Sequence, residues 1–213
     1  TQKHFKIALY LLRWLKTQAE VPYVLGRRTG RTAGNWLYCY VDADFANCAE
    51  TRRSNTGYLI FLEGSLIAFV SKRQSGVALS TTDAEVRAAT AACKEILWVV
   101  RLIDELGFAQ KQPVDVMEDN SATVTLSQSS GAQHSGRIKY MSIRDKFCLN
   151  LAQDGVVRFV KVTTDQQIAD VLTKPFFKPK FTALRTKLWN PRALRLQLYE
   201  DVHNVYVVTR GKS

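Results

Sequence analysis

Along residues 4–16, apolar side chains recur at Phe5, Ala8, Leu9, Leu12 and Leu15. That spacing predicts an amphipathic helix. Ile7, Leu11 and Trp14 widen its apolar stripe, so the helix is expected to pack on more than one side. The polar, glycine-containing run GRRTGRTAGN (26–35) predicts a loop or linker. Three strand-like runs follow: WLYCYVDA (36–43), TGYLIFLEG (56–64) and SLIAFVSKR (65–73). The last two flank a Glu-Gly-Ser turn, which predicts a hairpin. A long helix is expected at about 82–106, stopping at Gly107. PVDVMED (113–119) predicts a short strand that runs directly into a helix, NSATVTLSQ (120–128). Beyond the Gly/Ser-rich loop SSGAQHSGR (129–137), a helix is expected at 140–154 and a strand at 156–162. A helix at 164–174 is stopped by Pro175, and a last amphipathic helix covers roughly 178–189.

The order is three strands, a helix, a strand, helices, a strand and a helix. Three meandering antiparallel strands can share one sheet with later strands joined by helical crossovers, which predicts an α/β fold with a mixed sheet. No internal repeat or low-complexity segment interrupts the pattern. At 213 residues the chain can bury one good core, or one domain with an appendage. Its 46% hydrophobic and 23% charged residues are ordinary for a globular protein, so they change little. The net charge of +11 changes more: it points to an anionic partner, nucleic acid first, with a generally basic surface as the plainer alternative. Cys39, Cys48, Cys93 and Cys148 form no CxxC or Cys/His cluster, which argues against zinc and for reduced intracellular thiols. No apolar run approaches the ~20 residues that span a bilayer, and no signal peptide is visible. The expected location is the cytoplasm or nucleus. Because the chain starts at Thr1 rather than Met, it is expected to be a piece of a longer product.

Four carboxylates fall at informative places. Asp42, in YVDADF, ends the first of the three strands. Glu85 lies in the first turn of the long helix, Asp119 ends the fourth strand, and Asp170 lies in the helix after the fifth. Ligands of open α/β sheets gather beyond strand ends, where several elements converge. Four acids converging there would repel one another and require a divalent cation, and oxygen-rich sites suit Mg²⁺ or Mn²⁺. Two such ions about 4 Å apart can clamp the attacking and leaving oxygens of a phosphodiester. Each acid also has a plainer reading. Thr82-Asp83-Ala84-Glu85 fits a capping box, and Asp119 can be the N-cap of the next helix. Asp170 can be a solvated helix residue, and Asp42 or Asp44 a turn residue.

Taken in order, five stretches resemble the ribonuclease H domain of copia-type LTR-retrotransposon polyproteins. They are YVDADFA (40–46), TRRSNTGYLIFLEGSLIAFVSKRQSGVALSTTDAEVRAA (51–89), EDNSATVTL (118–126), IKYMSIRDKF (138–147) and VKVTTDQQIADVLTKPF (160–176). The match covers roughly 36–189, and its order and spacing are specific. HFKIALYLLRWLK (4–16) is similar to the segment that joins reverse transcriptase to ribonuclease H in that family. The resemblance therefore implies three parts: residues 1–35 as the end of the reverse transcriptase or its connection, 36–189 as a ribonuclease H-like domain, and 190–213 as an unmatched tail. It implies a five-stranded mixed sheet, three antiparallel strands and then parallel additions, flanked by helices. It also implies endonucleolytic cleavage of the RNA strand of RNA/DNA hybrids with two Mg²⁺ ions, or Mn²⁺. Asp42, Glu85, Asp119 and Asp170 match the family's catalytic and metal-binding acids. Asp42 would bridge the two ions, with Glu85 and Asp119 on one and Asp170 on the other, and Asp44 would shape the turn or stand behind the ligands.

Phosphate contacts are expected from Lys72 and Arg73 at the hairpin's end, Arg87 beside Glu85, and Arg137 and Lys139 in the loop. Ser80 and Asn120 are candidate polar contacts to the backbone or the 2′-hydroxyl. The expected partners are an RNA/DNA hybrid, the reverse transcriptase of the same polyprotein, and a host protein if the domain has been domesticated. Three features depart from the family pattern. Tyr140 stands where many relatives have histidine; the histidine that cellular enzymes of this fold often carry shortly before the last aspartate is missing from KVTTDQQIAD (161–170), as it is in the copia-type relatives; and residues 190–213 have no counterpart. Two rival readings come from other classes. An integrase or transposase nuclease would carry its glutamate after both aspartates, whereas here it lies between the first two. A host-recruited, inactive binding module would be expected to lose some of the four acids.

Overall fold

The computed structural model describes residues 2–18, 23–25, 37–110, 113–129, 146–188 and 206–208. The chain divides into two compact units, Thr1–Gly26 with Arg192–Ser213, and Arg27–Pro191. In the smaller unit α1 spans Gln2–Gln18, and a two-stranded antiparallel ribbon joins β1 (Tyr23–Leu25) to a late strand, Tyr206–Val208. The expectation that α1 packs on more than one side is not met: Phe5, Ile7, Tyr10, Leu11, Leu12 and Leu15 are all exposed. The ribbon was not foreseen, because three-residue strands carry too short a pattern to read.

The larger unit holds β2 (Leu37–Asp44), β3 (Asn55–Leu62), β4 (Ser65–Arg73), α2 (Thr81–Glu105), β5 (Val114–Glu118) and α3 (Ser121–Gln128). It continues with α4 (Phe147–Gln153), β6 (Val157–Lys161), α5 (Asp170–Thr173) and α6 (Lys178–Leu188). The late strand of the ribbon is β7. The five strands of this unit form one sheet in the order β4-β3-β2-β5-β6. β2, β3 and β4 pair antiparallel, and β5 and β6 add in parallel. This is the expected mixed sheet. The β3–β4 turn is Glu63-Gly64, both at positive φ (50° and 82°), the twist that two-residue hairpins favour.

Strand alternation splits the core into two layers. Leu37, Cys39 and Val41 of β2 and Val114 and Val116 of β5 pack with Ala84, Val86, Ala88, Ala89, Ala92, Cys93 and Ile96 of α2. α3 and α4 join this layer through Val124, Leu126, Cys148 and Leu149. On the opposite face Leu59 and Phe61 pack with Ile168, Ala169 and Leu184, and Tyr38 and Tyr40 lie against them. Ala84, Ala88, Ala89 and Ala92 of α2, all fully buried, let its backbone lie close to the sheet. All four cysteines are free thiols. Among the described residues no helix is long and apolar enough to cross a membrane.

Two expected helices differ from what forms. The helix expected at 140–154 is described only from Phe147, and its earlier part, with Tyr140, lies outside the described residues. The helix expected at 164–174 shrinks to the four residues of α5, so Asp170 opens that helix rather than lying within it. The cause is Gln167, which is fully buried. Its Nε2 donates to the carbonyls of Val41 (2.9 Å) and Met117 (3.4 Å), and its Oε1 accepts from Ala169 N–H (3.2 Å). Those bonds tie residues 164–169 to β2 and β5 as turns and take the place of a helical ladder.

Candidate active site

Alternation also decides where the acids go. Asp42 follows Tyr38 and Tyr40 on one face of β2, the face that α5 covers. Glu118 follows Val114 and Val116 on the other, the face that α2 covers. Asp119 lies just past the end of β5, where the sheet no longer separates the two sides. Oxygens of Asp42, Asp119 and Asp170 lie within 4.8 Å of one another, and so do oxygens of Glu85, Glu118 and Asp119. The four sequence-predicted acids therefore converge, and the residue common to both groups is Asp119, whereas Asp42 was expected to be the shared one.

Neighbouring residues perform the capping that Glu85 and Asp119 were also suited to. Ser80, not Thr82, caps α2: its Oγ accepts from Asp83 N–H at 3.0 Å, and Asp83 Oδ2 accepts from Leu79 N–H at 2.8 Å. Asn120 caps α3, its Oδ1 accepting from Ala122 and Thr123 N–H at 2.9 and 3.2 Å. Asp44 accepts from the Asn47 side chain, consistent with the turn role expected of it.

α5 reaches Asp42 because its cross-strand neighbour is a glycine. Gly57 pairs with Asp42 in the β2–β3 register. A Cβ at Gly57 would stand 2.6 Å from Thr173 Cγ2 and 2.9 Å from Leu172 Cβ. With that space open, the Thr173 hydroxyl donates to Asp42 Oδ2, and Ser71 Oγ donates to Leu172 C=O at 2.6 Å. Lys174 then inserts its ammonium between the acids, 3.2 Å from Asp42 Oδ1 and 2.5 Å from Asp170 Oδ1. On the far side the Thr164 hydroxyl donates to Asp119 Oδ2 at 3.2 Å, and Lys161 donates to Asp119 C=O.

The electrostatics follow the burial. Desolvation raises the Asp42 carboxyl above its ordinary range, although Thr173 and Lys174 pull it back. Glu85 is pushed well up, first by burial and then by the charges of Glu118, Asp42 and Asp119. Glu118 is pushed up to about 8, mainly by burial, against the opposing hydrogen bond from Asn120 N–H. Burial alone would lower the Lys174 ammonium, but the hydrogen bond it donates to Asp170 and the charge of Asp42 carry it upward. Glu118 and Lys174 were not singled out in the sequence. Alternation from Val114 and Val116 places Glu118 on the buried face, and the i+4 spacing from Asp170 aims Lys174 at the acids.

The expected nucleic-acid contacts fare unevenly. Lys72 and Arg73 are exposed at the end of β4, in register with Thr56 and Asn55 at the sheet end that carries Asp42. Arg87 is held in a forked pair on Asp83, at 2.9 and 3.1 Å. Ser80 and Asn120 are the helix caps just described. Arg137 and Lys139 lie outside the described residues.

Sheet order and strand directions define an α/β domain on one five-stranded mixed sheet, with an acidic centre at the ends of β2 and β5. No protein-family model matches the chain. The retrovirus-related Pol polyprotein from transposon TNT 1-94 of Nicotiana tabacum is 34% identical over 180 residues, covering 84% of this chain and 13% of the polyprotein. The corresponding polyprotein from transposon RE1 of Arabidopsis thaliana is 32% identical over 188 residues, covering 88% of this chain and 12% of its own length. A crystal structure of LC11-RNase H1 in complex with RNA/DNA hybrid superposes with a TM-score of 0.48 at 16% identity, over 64% of this chain and 93% of that one. The chain is thus homologous to one segment of the copia-type retrotransposon Pol polyproteins, and spans about an eighth of the length of those relatives.

Proposed function

We propose that the chain is a metal-dependent endonuclease that cuts the RNA strand of RNA/DNA hybrids. The observation that carries this reading is the meeting of Asp42, Glu85, Asp119 and Asp170, from four separate elements, at one end of the sheet. Their chemistry suits hard divalent cations: every donor is a carboxylate oxygen, and Glu85 Oε2 is buried with no hydrogen-bond partner. Asp42, Asp119 and Asp170 would hold one Mg²⁺ or Mn²⁺, and Glu85 with Asp119 a second. When bound, such ions supply a more acidic water and offset charge on the leaving 3′-oxygen.

The chain's own residues do the rest. Thr173 and Lys174 fix the orientation of Asp42 against Asp170, and Gln167 pins the turn that presents Asp170. Thr164 and Lys161 orient Asp119 from the opposite side. Lys72 and Arg73 grip phosphates of a duplex laid across the sheet end, with Arg137 and Lys139 as further contacts. Discrimination of RNA from DNA would come from 2′-hydroxyls in the wide minor groove, within reach of the polar ends of α2 and α3, Ser80 and Asn120. Residues 36–189 would form the hydrolytic domain, with 1–35 as the end of a polymerase segment and 190–213 as an appended tail. The test is Mg²⁺-dependent cleavage of a labelled hybrid by the intact chain and by Asp42→Asn and Asp119→Asn. Each substitution is expected to slow cutting by about a hundredfold or more while leaving the fold intact. Undiminished cutting by either variant removes the role assigned to that acid.

A further inference from the structure

β5 ends in a residue that its pattern does not call for. Glu118 shares a sheet face with Val114 and Val116, is 0% exposed, and lies under α2 where an apolar side chain would ordinarily pack. One of its oxygens is used: Oε1 accepts from Asn120 N–H at 2.9 Å. The other, Oε2, is buried without a partner. Across from it Glu85, 6% exposed, also leaves its Oε2 buried and bare. Buried carboxylates in a purely structural role use their oxygens on donors. Among the described residues no lysine or arginine forms an ion pair with either glutamate.

The two halves of the acidic centre therefore differ. The Asp42–Asp170 half already holds an internal cation, the Lys174 ammonium. The Glu85–Glu118 half has three carboxylates within 4.8 Å, counting Asp119, and two bare oxygens. We propose that Glu118 is a direct cation ligand, completing with Glu85 and Asp119 a buried three-carboxylate pocket for Mg²⁺ or Mn²⁺. This pocket is the one that fills first, because no ammonium has to leave it. The inference rests on the metal-dependent reading above and adds a fifth carboxylate to it.

The test is a Mn²⁺ titration of the full chain at neutral pH, with free Mn²⁺ counted by electron paramagnetic resonance. Glu118→Gln keeps an acceptor for Asn120 N–H but removes the charge. It is expected to weaken the tighter of two Mn²⁺ sites by about tenfold or more, with the circular-dichroism spectrum unchanged. Glu118→Asp keeps the charge and is expected to recover a substantial part of that affinity. Wild-type affinity in Glu118→Gln overturns the proposal, as does a Glu118→Asp that binds no better than the glutamine variant. If Mn²⁺ binding is instead lost in Asp42→Asn and untouched in Glu118→Gln, the hydrolase reading stands and this inference alone falls. A wild-type chain that binds no Mn²⁺ removes both.

Discussion

Without divalent cations, Glu118→Gln is expected to stabilise the folded chain at alkaline pH and to leave it nearly unchanged near pH 5. Glu118 titrates near 4.5 when exposed and at about 8 in the fold, because burial disfavours its charged form. Between those values the folded state holds a proton that the unfolded chain has released, so stability falls as pH rises. The contribution is fully present below pH 4.5 and lost by the time pH passes about 8. At 1.36 kcal/mol per pH unit, the whole window amounts to roughly 5 kcal/mol, and about 3 kcal/mol is gone by pH 7. Glu85 adds to the same trend, since burial and the Glu118 charge raise it too. Glutamine cannot ionise yet still accepts from Asn120 N–H, so the variant escapes the loss. Urea unfolding in EDTA at pH 5, 6, 7 and 8 measures the difference directly. It should grow from under about 1 kcal/mol at pH 5 to about 4 kcal/mol at pH 8, and saturating Mg²⁺ should remove the wild type's pH dependence. A difference that is constant with pH, or a variant weaker than wild type at pH 8, refutes the electrostatic account of this pair.

Two further substitutions probe the other half of the centre. Lys174→Met leaves Asp42 and Asp170, 1% exposed each, without their shared cation. Because Lys174 is itself partly exposed, the expected loss is about 2 kcal/mol in EDTA rather than the full cost of breaking a buried pair. Thermal melts should show Mg²⁺ restoring much of that loss, and a melt unchanged by the substitution would contradict the bridging role. Gly57→Ala drives a methyl into Thr173 and Leu172. It should destabilise by about 1–3 kcal/mol and displace α5, read as weakened Mn²⁺ binding. Wild-type stability and binding together would show that α5 does not depend on that close approach.

What could be read beforehand was what repeats or what punctuates. The β3–β4 hairpin was visible because its turn lies between two long β-rich runs. The sheet's mixed character followed from strands met first without and then with helical crossovers. The four acids could be placed at strand ends and in helices, but Glu85 and Asp119 kept a capping alternative until Ser80 and Asn120 were seen to do the capping. The Ser80-Thr81-Thr82-Asp83 spacing was itself a cap signal, competing with the Thr82 box two residues later. The helix expected at 164–174 failed because the long-range bonds of Gln167 to β2 and β5 outweighed local helical preference. Nothing local announces such bonds, since they join residues far apart in the chain. Glu118 escaped notice because an acid beside Asp119 looks like the polar end of a strand, and only its burial and bare oxygen mark it out.

The central claim is tested most directly by a hybrid whose RNA and DNA strands carry different labels, incubated with the intact chain and Mg²⁺ at low salt, where phosphate contacts are strongest. The account predicts that the RNA strand is shortened, that the DNA strand stays intact, and that EDTA stops the reaction. Cutting of both strands, cutting that persists in EDTA, or a hybrid that is bound and never cut would contradict it.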